Sequence, residues 1–343
     1  MRRLRLGLVG CGRISKRHFE AINQNKKEIE LAAICDIDDN ARNSAKQKLA
    51  VPSFSSMQAM IDSEKLDIIS LCTPSGLHAE QTIMAAKNGL HVITEKPMAT
   101  RWKDGVKMVQ ECEKNNVQLF VVKQNRYNST LQLLKTALEK DSFGKIHMVH
   151  INVFWTRSQS YYDQAKWRGT WEFDGGALMN QASHYIDLLD WLVGPVEKIH
   201  CMTSTSRQIE VEDTAVVNIK WRSGAIGSVA VTMLTYPENL EGSITIIGEK
   251  GTAKVGGVAV NEVQVWDFKD SHENQVDVGS LNYHTGSIYG FGHSAYYKNV
   301  IGSIRHGEKG ATNGWEGLKS LELIIAAYNS AADGKTQSLP LDY

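Results

Sequence analysis

Short apolar runs alternate with helix-patterned stretches through the first third of the chain, and this alternation constrains the fold more than any other feature. The runs cover residues 4–9, 31–35, 68–71, 91–94 and 119–122, and helical patterns occupy 14–23, 77–88 and 102–115 among them. Strands apolar on both faces and joined through helices need a parallel sheet covered on both sides. After about residue 122 the pattern changes. A helix over 130–140, a strand over 146–155, a polar aromatic loop over 156–171 and a helix over 176–192 come first. Strands over 196–204, 214–221, 225–234 and 243–247 then follow with no helix between them, and Ser223-Gly224 and Lys250-Gly251 supply turn dipeptides. Consecutive strands on tight turns make an antiparallel sheet, which a strand over 260–268 extends. Residues 269–291 read as a polar connection, and helices over 293–305 and 315–331 close the chain. The expected organisation is α/β: a doubly wound parallel-sheet (Rossmann) domain over 1–122 and an α+β domain with an open, mostly antiparallel sheet over 123–343. The closing helices, 293–331, are expected to pack back on the first domain.

Composition removes several function classes. With 343 residues and 42% hydrophobic content, two cores are within reach. The 38 basic and 38 acidic residues cancel, so no nucleic-acid or anionic-membrane partner is expected. No apolar run approaches the roughly 18 residues of a membrane span. Met1-Arg2-Arg3-Leu4-Arg5 leads straight into a strand, with no apolar core of a secretion signal. The five cysteines are odd in number and form no C-x-x-C pair, so a reducing cytoplasm is expected, with neither a disulfide framework nor a metal site.

The join of the first strand and helix, Gly10-Cys11-Gly12-Arg13-Ile14-Ser15, is a dinucleotide fingerprint. Gly10 permits the tight turn, Gly12 admits a pyrophosphate, and Ser15 is small enough for close packing. Asp36 ends the second strand, where a carboxylate accepts from ribose hydroxyls and repels a 2′-phosphate. NAD is therefore preferred over NADP, with Arg42 as the residue that would soften the preference. The loop Thr73-Pro74-Ser75-Gly76-Leu77-His78 ends another strand and is placed to touch the nicotinamide half.

Thr94-Glu95-Lys96-Pro97 follows the next strand. A Pro disfavours helical dihedrals in the residue before it, which holds Lys96 at a strand end. An ammonium at that edge can handle the proton of a substrate hydroxyl. In 174–187, Asn180 and His184 are four apart, so on a helix they share a face, and Asp187 lies within reach of the imidazole. A carboxylate-oriented His suits general-base work near neutral pH.

The fingerprint, the T-P-x-x-x-H loop, the E-K-P segment and the G-G-x-L…H-x-x-D stretch occur in that order. Together they resemble the Gfo/Idh/MocA family, which includes glucose–fructose oxidoreductase and inositol 2-dehydrogenase. The resemblance covers the whole chain. It implies Lys96 and His184 as catalytic residues, and NAD held by Gly10, Gly12, Arg13, Ile14, Asp36, Thr73, Pro74, His78, Glu95, Lys96 and Gln124. It also implies a homo-oligomer, dimer or tetramer, formed through the exposed sheet face. Many members carry Asp where this chain has Asn180, which replaces a proton acceptor with a neutral hydrogen-bonding group.

The stretches 125–128, 161–164, 167–181 and 235–243 are similar to the UDP-N-acetylglucosaminuronate 3-dehydrogenase branch. That similarity implies oxidation of the 3′-hydroxyl of UDP-N-acetyl-glucosaminuronic acid (UDP-GlcNAcA) in lipopolysaccharide O-antigen biosynthesis, with 2-oxoglutarate as a possible recycler of the cofactor. A substrate bearing a carboxylate and a pyrophosphate favours Arg, whose planar fork matches oxyanions. Arg126, Arg157 and Arg168 are the candidates, with Lys96, Tyr127, Asn180 and His184 completing the substrate set and Trp155, Tyr161 and Tyr162 supplying packing. Whether Lys96 or His184 is the base stays open at this point. So do two other readings, a dehydrogenase of a free or phosphorylated sugar or cyclitol, and a noncatalytic nucleotide sensor on the same fold.

Overall fold

The structure, a computed structural model, describes residues 2–269, 278–283 and 290–341. The chain divides into two compact units, Met1–Lys123 with His293–Leu321, and Gln124–Gly292 with Glu322–Tyr343.

In the first unit the five apolar runs become parallel strands and a short sixth strand, β3, joins them: β1 (Leu4–Val9), β2 (Ile29–Cys35), β3 (Ser53–Phe54), β4 (Ile68–Leu71), β5 (His91–Thr94) and β6 (Leu119–Val121). Their order is β3-β2-β1-β4-β5-β6. The order reverses at β1, and in such sheets ligands bind outside the strand carboxyl ends at that point. Leu6, Leu8, Ile34, Ile68, Ile69, Val92, Ile93 and Phe120 are fully buried, as strands covered on both faces require. Helix His293–His306 joins this core through Tyr296, Tyr297 and Val300. The segment after it returns beside β6, where the Val121 N–H donates to the Thr312 carbonyl at 2.8 Å.

Strand β3 and the helices Asp39–Leu49 and Met57–Ser63 had no counterpart in the sequence pattern. Helix Asp39–Leu49 buries only Ala45, so it carries no apolar period to read. It is marked instead by its N-cap, where Asp38 accepts from the Ala41 N–H at 2.9 Å.

Among the described residues the second unit carries eight strands: β7 (Ile146–Phe154), β8 (Val196–Ser204), β9 (Thr214–Trp221), β10 (Ile226–Thr232), β11 (Glu241–Gly248), β12 (Gly251–Gly256), β13 (Glu262–Phe268) and β14 (Gln337–Ser338). The order is β13-β12-β11-β7-β10-β9-β8-β14, and only β7 with β10 is parallel. Strand β9 shows why one face is covered: Ala215, Val217, Ile219 and Trp221 are buried while Val216, Asn218 and Lys220 between them are exposed. Residues 270–277 and 284–289 of the expected polar connection lie outside the described residues. The part that is described includes a four-residue helix, Val278–Leu281.

The helix expected over 176–192 needs correction. Residues 177–181 form turns, the α-helix covers only Ser183–Leu188, and a π-helical turn, Leu189–Val193, follows. Gly175 takes φ +74°, a left-handed conformation outside the helical region. The Asn180 side chain turns back to donate to Asp174, and Ser183 Oγ donates to the Asn180 carbonyl at 3.2 Å. Such local bonds compete with the helical ladder. Asn180 and His184 are therefore not successive positions on one helical face.

Candidate active site

At the carboxyl edge of the first sheet, Gly10 is forced. Its φ is +93°, and a Cβ there would stand 2.7 Å from the Cys72 backbone. At Gly12 a Cβ would meet nothing within 4 Å, so the backbone is open to a close-lying phosphate. Arg13 is exposed and Ile14 half-buried beside it. Asp36 accepts from the backbone N–H of Cys11 at 2.6 Å and of Asp38 at 2.8 Å, one on each oxygen. A carboxylate has about four lone-pair sites, so the fixed group keeps capacity for two ribose hydroxyls. Arg42 spends its guanidinium on the Asp36 carbonyl, at 2.7 Å, and on the Asp39 carboxylate. These residues fit a dinucleotide whose ribose carries free hydroxyls.

Thr73 Oγ1 donates to Gln81 at 2.6 Å, and Pro74 is half-buried before the turn Ser75–Leu77. His78 opens the helix His78–Lys87 and is fully buried. Its ring nitrogens face two carbonyls, Nδ1 to Pro97 and Nε2 to Thr73, each at 3.0 Å. Burial lowers its pKa against the pull of the two carbonyls, and a neutral ring can donate to one of them. Lys96 is half-buried just beyond β5, and its backbone N–H donates to Glu95 Oε2 at 3.1 Å. Glu95 itself points inward, with Oε1 3.0 Å from His18 Nε2. Burial alone would raise its pKa. The His18 hydrogen bond and charge, then Lys96 and His293, outweigh that and hold it at about 2. Glu95 thus supports the Lys96 loop from within.

His18, Glu95 and His293 are the one group among the described residues with three metal-ligand atoms, all within 4.8 Å of one another. His18 faces Glu95 with one ring nitrogen and Tyr297 with the other, so the group is built as a hydrogen-bonded ion pair.

In the second unit, Gln124 is fully buried and its amide nitrogen lies 2.9 Å from His184 Nε2. An amide N–H₂ can only donate, so this Nε2 accepts and the ring proton sits on Nδ1. Arg126, expected to meet substrate, is buried instead. Its Nε and Nη2 reach Asp187 Oδ2 and Oδ1 at 2.6 and 2.7 Å, and its guanidinium lies 5.5 Å from the Trp191 ring centroid. A buried charge must be paired, and this one is committed to the carboxylate three residues after His184. Tyr127 is half-buried in the same segment.

Asp174, almost wholly buried, accepts from the Gly169 N–H at 2.7 Å and from Asn180. Arg157 and Arg168 both stack on Tyr161, at 5.4 and 4.2 Å from its centroid. Arg157 also lies 5.4 Å from Trp155, and Arg168 5.3 Å from Trp167. Both are half-buried. Tyr162 and Trp155 are buried behind them.

Glu212 and Tyr328 carry no sequence motif, yet they brace the turns before His184. Glu212 Oε1 accepts from the Leu178 N–H at 2.8 Å and from Tyr328 Oη at 3.1 Å. Tyr328 Oη accepts from the Gly176 N–H at 3.1 Å. A Cβ on Gly176 would stand 1.5 Å from the carboxylate, so only glycine fits. Burial pushes the Glu212 carboxyl up to about 7, against the pull of hydrogen bonds from the Leu178 N–H, its own N–H and Tyr328.

Two outcomes follow from these geometries. A folded-state pKa above the unfolded one means the folded protein binds more protons, so Glu212 favours folding below its unfolded pKa near 4.5 and loses that contribution as pH rises through about 7. Glu212→Gln should flatten the decline of unfolding free energy across that interval in urea titrations, and an unchanged pH slope would contradict the assignment. Arg126→Ala strands the Asp187 carboxylate and should cost roughly 3–5 kcal/mol in the same measurement. A loss under about 1 kcal/mol would mean the pair is solvated.

Known proteins share this arrangement at the level of the whole chain. The model described as "Oxidoreductase family, NAD-binding Rossmann fold" matches residues 4–123, and "Oxidoreductase family, C-terminal alpha/beta domain" matches 135–340. The chain is similar to the crystal structure of the WlbA dehydrogenase from Bordetella pertussis in complex with NADH and UDP-GlcNAcA, at 56% identity and TM-score 0.96, covering 99% of both chains. It is equally similar to the WlbA dehydrogenase from Chromobacterium violaceum with the same two ligands, at 56% identity and TM-score 0.95, covering 100% of this chain and 98% of that one. Myo-inositol 2-dehydrogenase of Thermotoga maritima is 27% identical over 98% of each chain. This chain therefore belongs to the Gfo/Idh/MocA oxidoreductase family.

Proposed function

We propose that the protein is an NAD-dependent dehydrogenase that oxidises the 3′-hydroxyl of UDP-GlcNAcA to the 3-keto sugar. The observation that carries this reading is the 56% identity, sustained over the whole chain, to dehydrogenases crystallised with NADH and UDP-GlcNAcA. The open backbone at Gly12 and the Asp36 carboxylate fit NAD. Arg13, Ile14, Thr73, Pro74 and His78 complete the cofactor edge, His78 by bracing the loop. When bound, the oxidised nicotinamide supplies the acceptor for the hydride that leaves C3.

The remaining steps belong to the chain's own side chains. Lys96 donates a hydrogen bond to the 3′-hydroxyl, and His184 takes the hydroxyl proton on Nε2. The Gln124 contact fits a ring whose lone pair is on Nε2, and in this reading the substrate hydroxyl takes the place of the Gln124 amide there. Asn180, fixed by Asp174, offers the sugar a neutral polar contact. Arg157 and Arg168, spread over Tyr161, are the cations for the carboxylate and pyrophosphate. Arg126, the third expected cation, holds Asp187 through its Nε and Nη2.

The wider setting belongs to the same proposal. A 3-keto nucleotide sugar suits a following transamination, on the way to lipopolysaccharide O-antigen in the cytoplasm. The bound cofactor would be recycled by 2-oxoglutarate. The exposed sheet face, with Met202, Val216 and Ile226 presented to solvent, suits a homo-oligomer, dimer or tetramer.

The test is an anaerobic incubation with NAD⁺ and UDP-GlcNAcA, with and without 2-oxoglutarate, followed by mass spectrometry of the nucleotide sugar. Loss of two hydrogens is expected. Lys96→Ala and His184→Ala should each lower kcat by about 100-fold or more with unchanged circular dichroism. An untouched nucleotide sugar, alongside turnover of a free or phosphorylated sugar, would overturn the substrate assignment.

A further inference from the structure

Within the first unit, side chains from distant parts of the sequence meet under the Lys96 loop. His18 lies on helix Ser15–Gln24 and Tyr297 on helix His293–His306, and both are fully buried. His18 Nε2 is 3.0 Å from Glu95 Oε1. Its Nδ1 is 2.7 Å from Tyr297 Oη and 3.2 Å from Ser70 Oγ. A carboxylate accepts but cannot donate, so Nε2 carries a proton. The hydroxyls behind Nδ1 can accept a second one. Burial by itself disfavours the charged ring, but Cys72, Tyr297 and Glu95 together raise the His18 pKa well above its ordinary value. His293, whose ring centroid is 5.8 Å from that of His18, is pushed down to about 3 by burial and by the His18 charge, and so stays neutral. The result is one buried ion pair, His18 with Glu95, backed by two hydroxyls.

A buried ion pair is weak evidence for stability, because desolvation offsets most of the attraction. This one stands where the chain needs a fixed geometry. Glu95 Oε1 is held by His18, which leaves Oε2 to hold the backbone N–H of Lys96.

We infer that His18 and Tyr297 are positioning residues for the reaction at Lys96. His18 anchors Glu95, Glu95 fixes the Lys96 backbone, and Tyr297 with Ser70 holds the imidazole from behind. The inference rests on the reading that Lys96 touches the substrate hydroxyl. The titratable or charged groups around Glu95 are His18 and, beyond it, Cys72; His293 and Tyr297 from the last helix of the unit; His78 and Lys96 from the adjoining loops; and Arg17 beside His293. Of these, His18 hydrogen-bonds the carboxylate through its side chain, so its loss changes Glu95 most.

The experiment compares wild type, His18→Gln and Tyr297→Phe in the full-length protein. Three quantities are read: kcat against pH with UDP-GlcNAcA and NAD⁺, the Kd for NADH, and the acetylation rate of Lys96 by acetic anhydride. The last is followed by peptide mass spectrometry, relative to exposed lysines. In His18→Gln, kcat should fall by about tenfold or more while the NADH Kd moves less than about threefold. A carboxylate deprived of its charged partner in apolar surroundings has a raised pKa, so kcat should gain a new ionisation between about pH 5 and about pH 8, rising with pH. Relative labelling of Lys96 should shift by about threefold or more, with the exposed lysines unmoved. Tyr297→Phe should show the same signs with smaller amplitude, and it decides the matter by the same readouts if His18→Gln does not fold.

A kcat within about twofold of wild type in both variants overturns the inference. So does a lower kcat with unchanged pH profile and unchanged Lys96 labelling, which would mark His18 as core filling. If wild type leaves every sugar nucleotide untouched, the proposed function fails on its own. The labelling comparison then still decides this inference: a shift confined to Lys96 supports it, and no shift overturns it.

Discussion

A buried carboxylate without a cation costs more than most single contacts can return, and two buried carboxylates, each paired with a cation, organise this protein. In the first unit Glu95 is held by His18; in the second, Asp187 is held by Arg126. Each stands next to a residue assigned to the chemistry. Glu95 immediately precedes Lys96, and Asp187 follows His184 by three positions. Removing either cation would strand a charge in the interior, so the pairs admit few alternative conformations. Irregular backbone can then carry side chains with the precision that regular elements supply elsewhere.

The turns before His184 depend on the same constraint applied to neutral groups. The Gly176 and Leu178 N–H groups would be unsatisfied inside the fold without Tyr328 and Glu212. Glu212 fills the space that any side chain at residue 176 would need. Asp174 similarly collects the Gly169 N–H and the Asn180 amide. The aromatic stretch carrying Arg168 and the short helix Ser183–Leu188 are thereby held at defined positions within the second unit, although few of the intervening residues are helical.

Much of the architecture was legible in the sequence because it depends on local period. The apolar runs of β1, β4 and β5 announce buried parallel strands, and the β9 alternation announces a one-sided sheet. Gly10 was readable for the same reason, since the turn it makes is a short-range demand. Reading failed where spacing imitated a different state. Residues 176–192 have the apolar spacing of a helix, but Gly175 and the Asn180 side chain break it. Arg126 looks like any available cation until the fold brings Asp187 to it across 61 positions. His18 and Tyr297, 279 positions apart, are invisible as a pair. Lone polar residues on helices with apolar faces say nothing of partners that only the folded chain supplies. Glu212 and Tyr328 escape notice for the same reason.

In the proposed reaction hydride leaves C3 of the nucleotide sugar. Incubation of the protein with NAD⁺ and UDP-GlcNAcA carrying deuterium at C3, with mass spectrometry of the cofactor, tests it directly. The deuterium should appear in the reduced nicotinamide and be lost from the sugar. Deuterium that stays in the sugar, or that exchanges into water while the cofactor remains unlabelled, would contradict it.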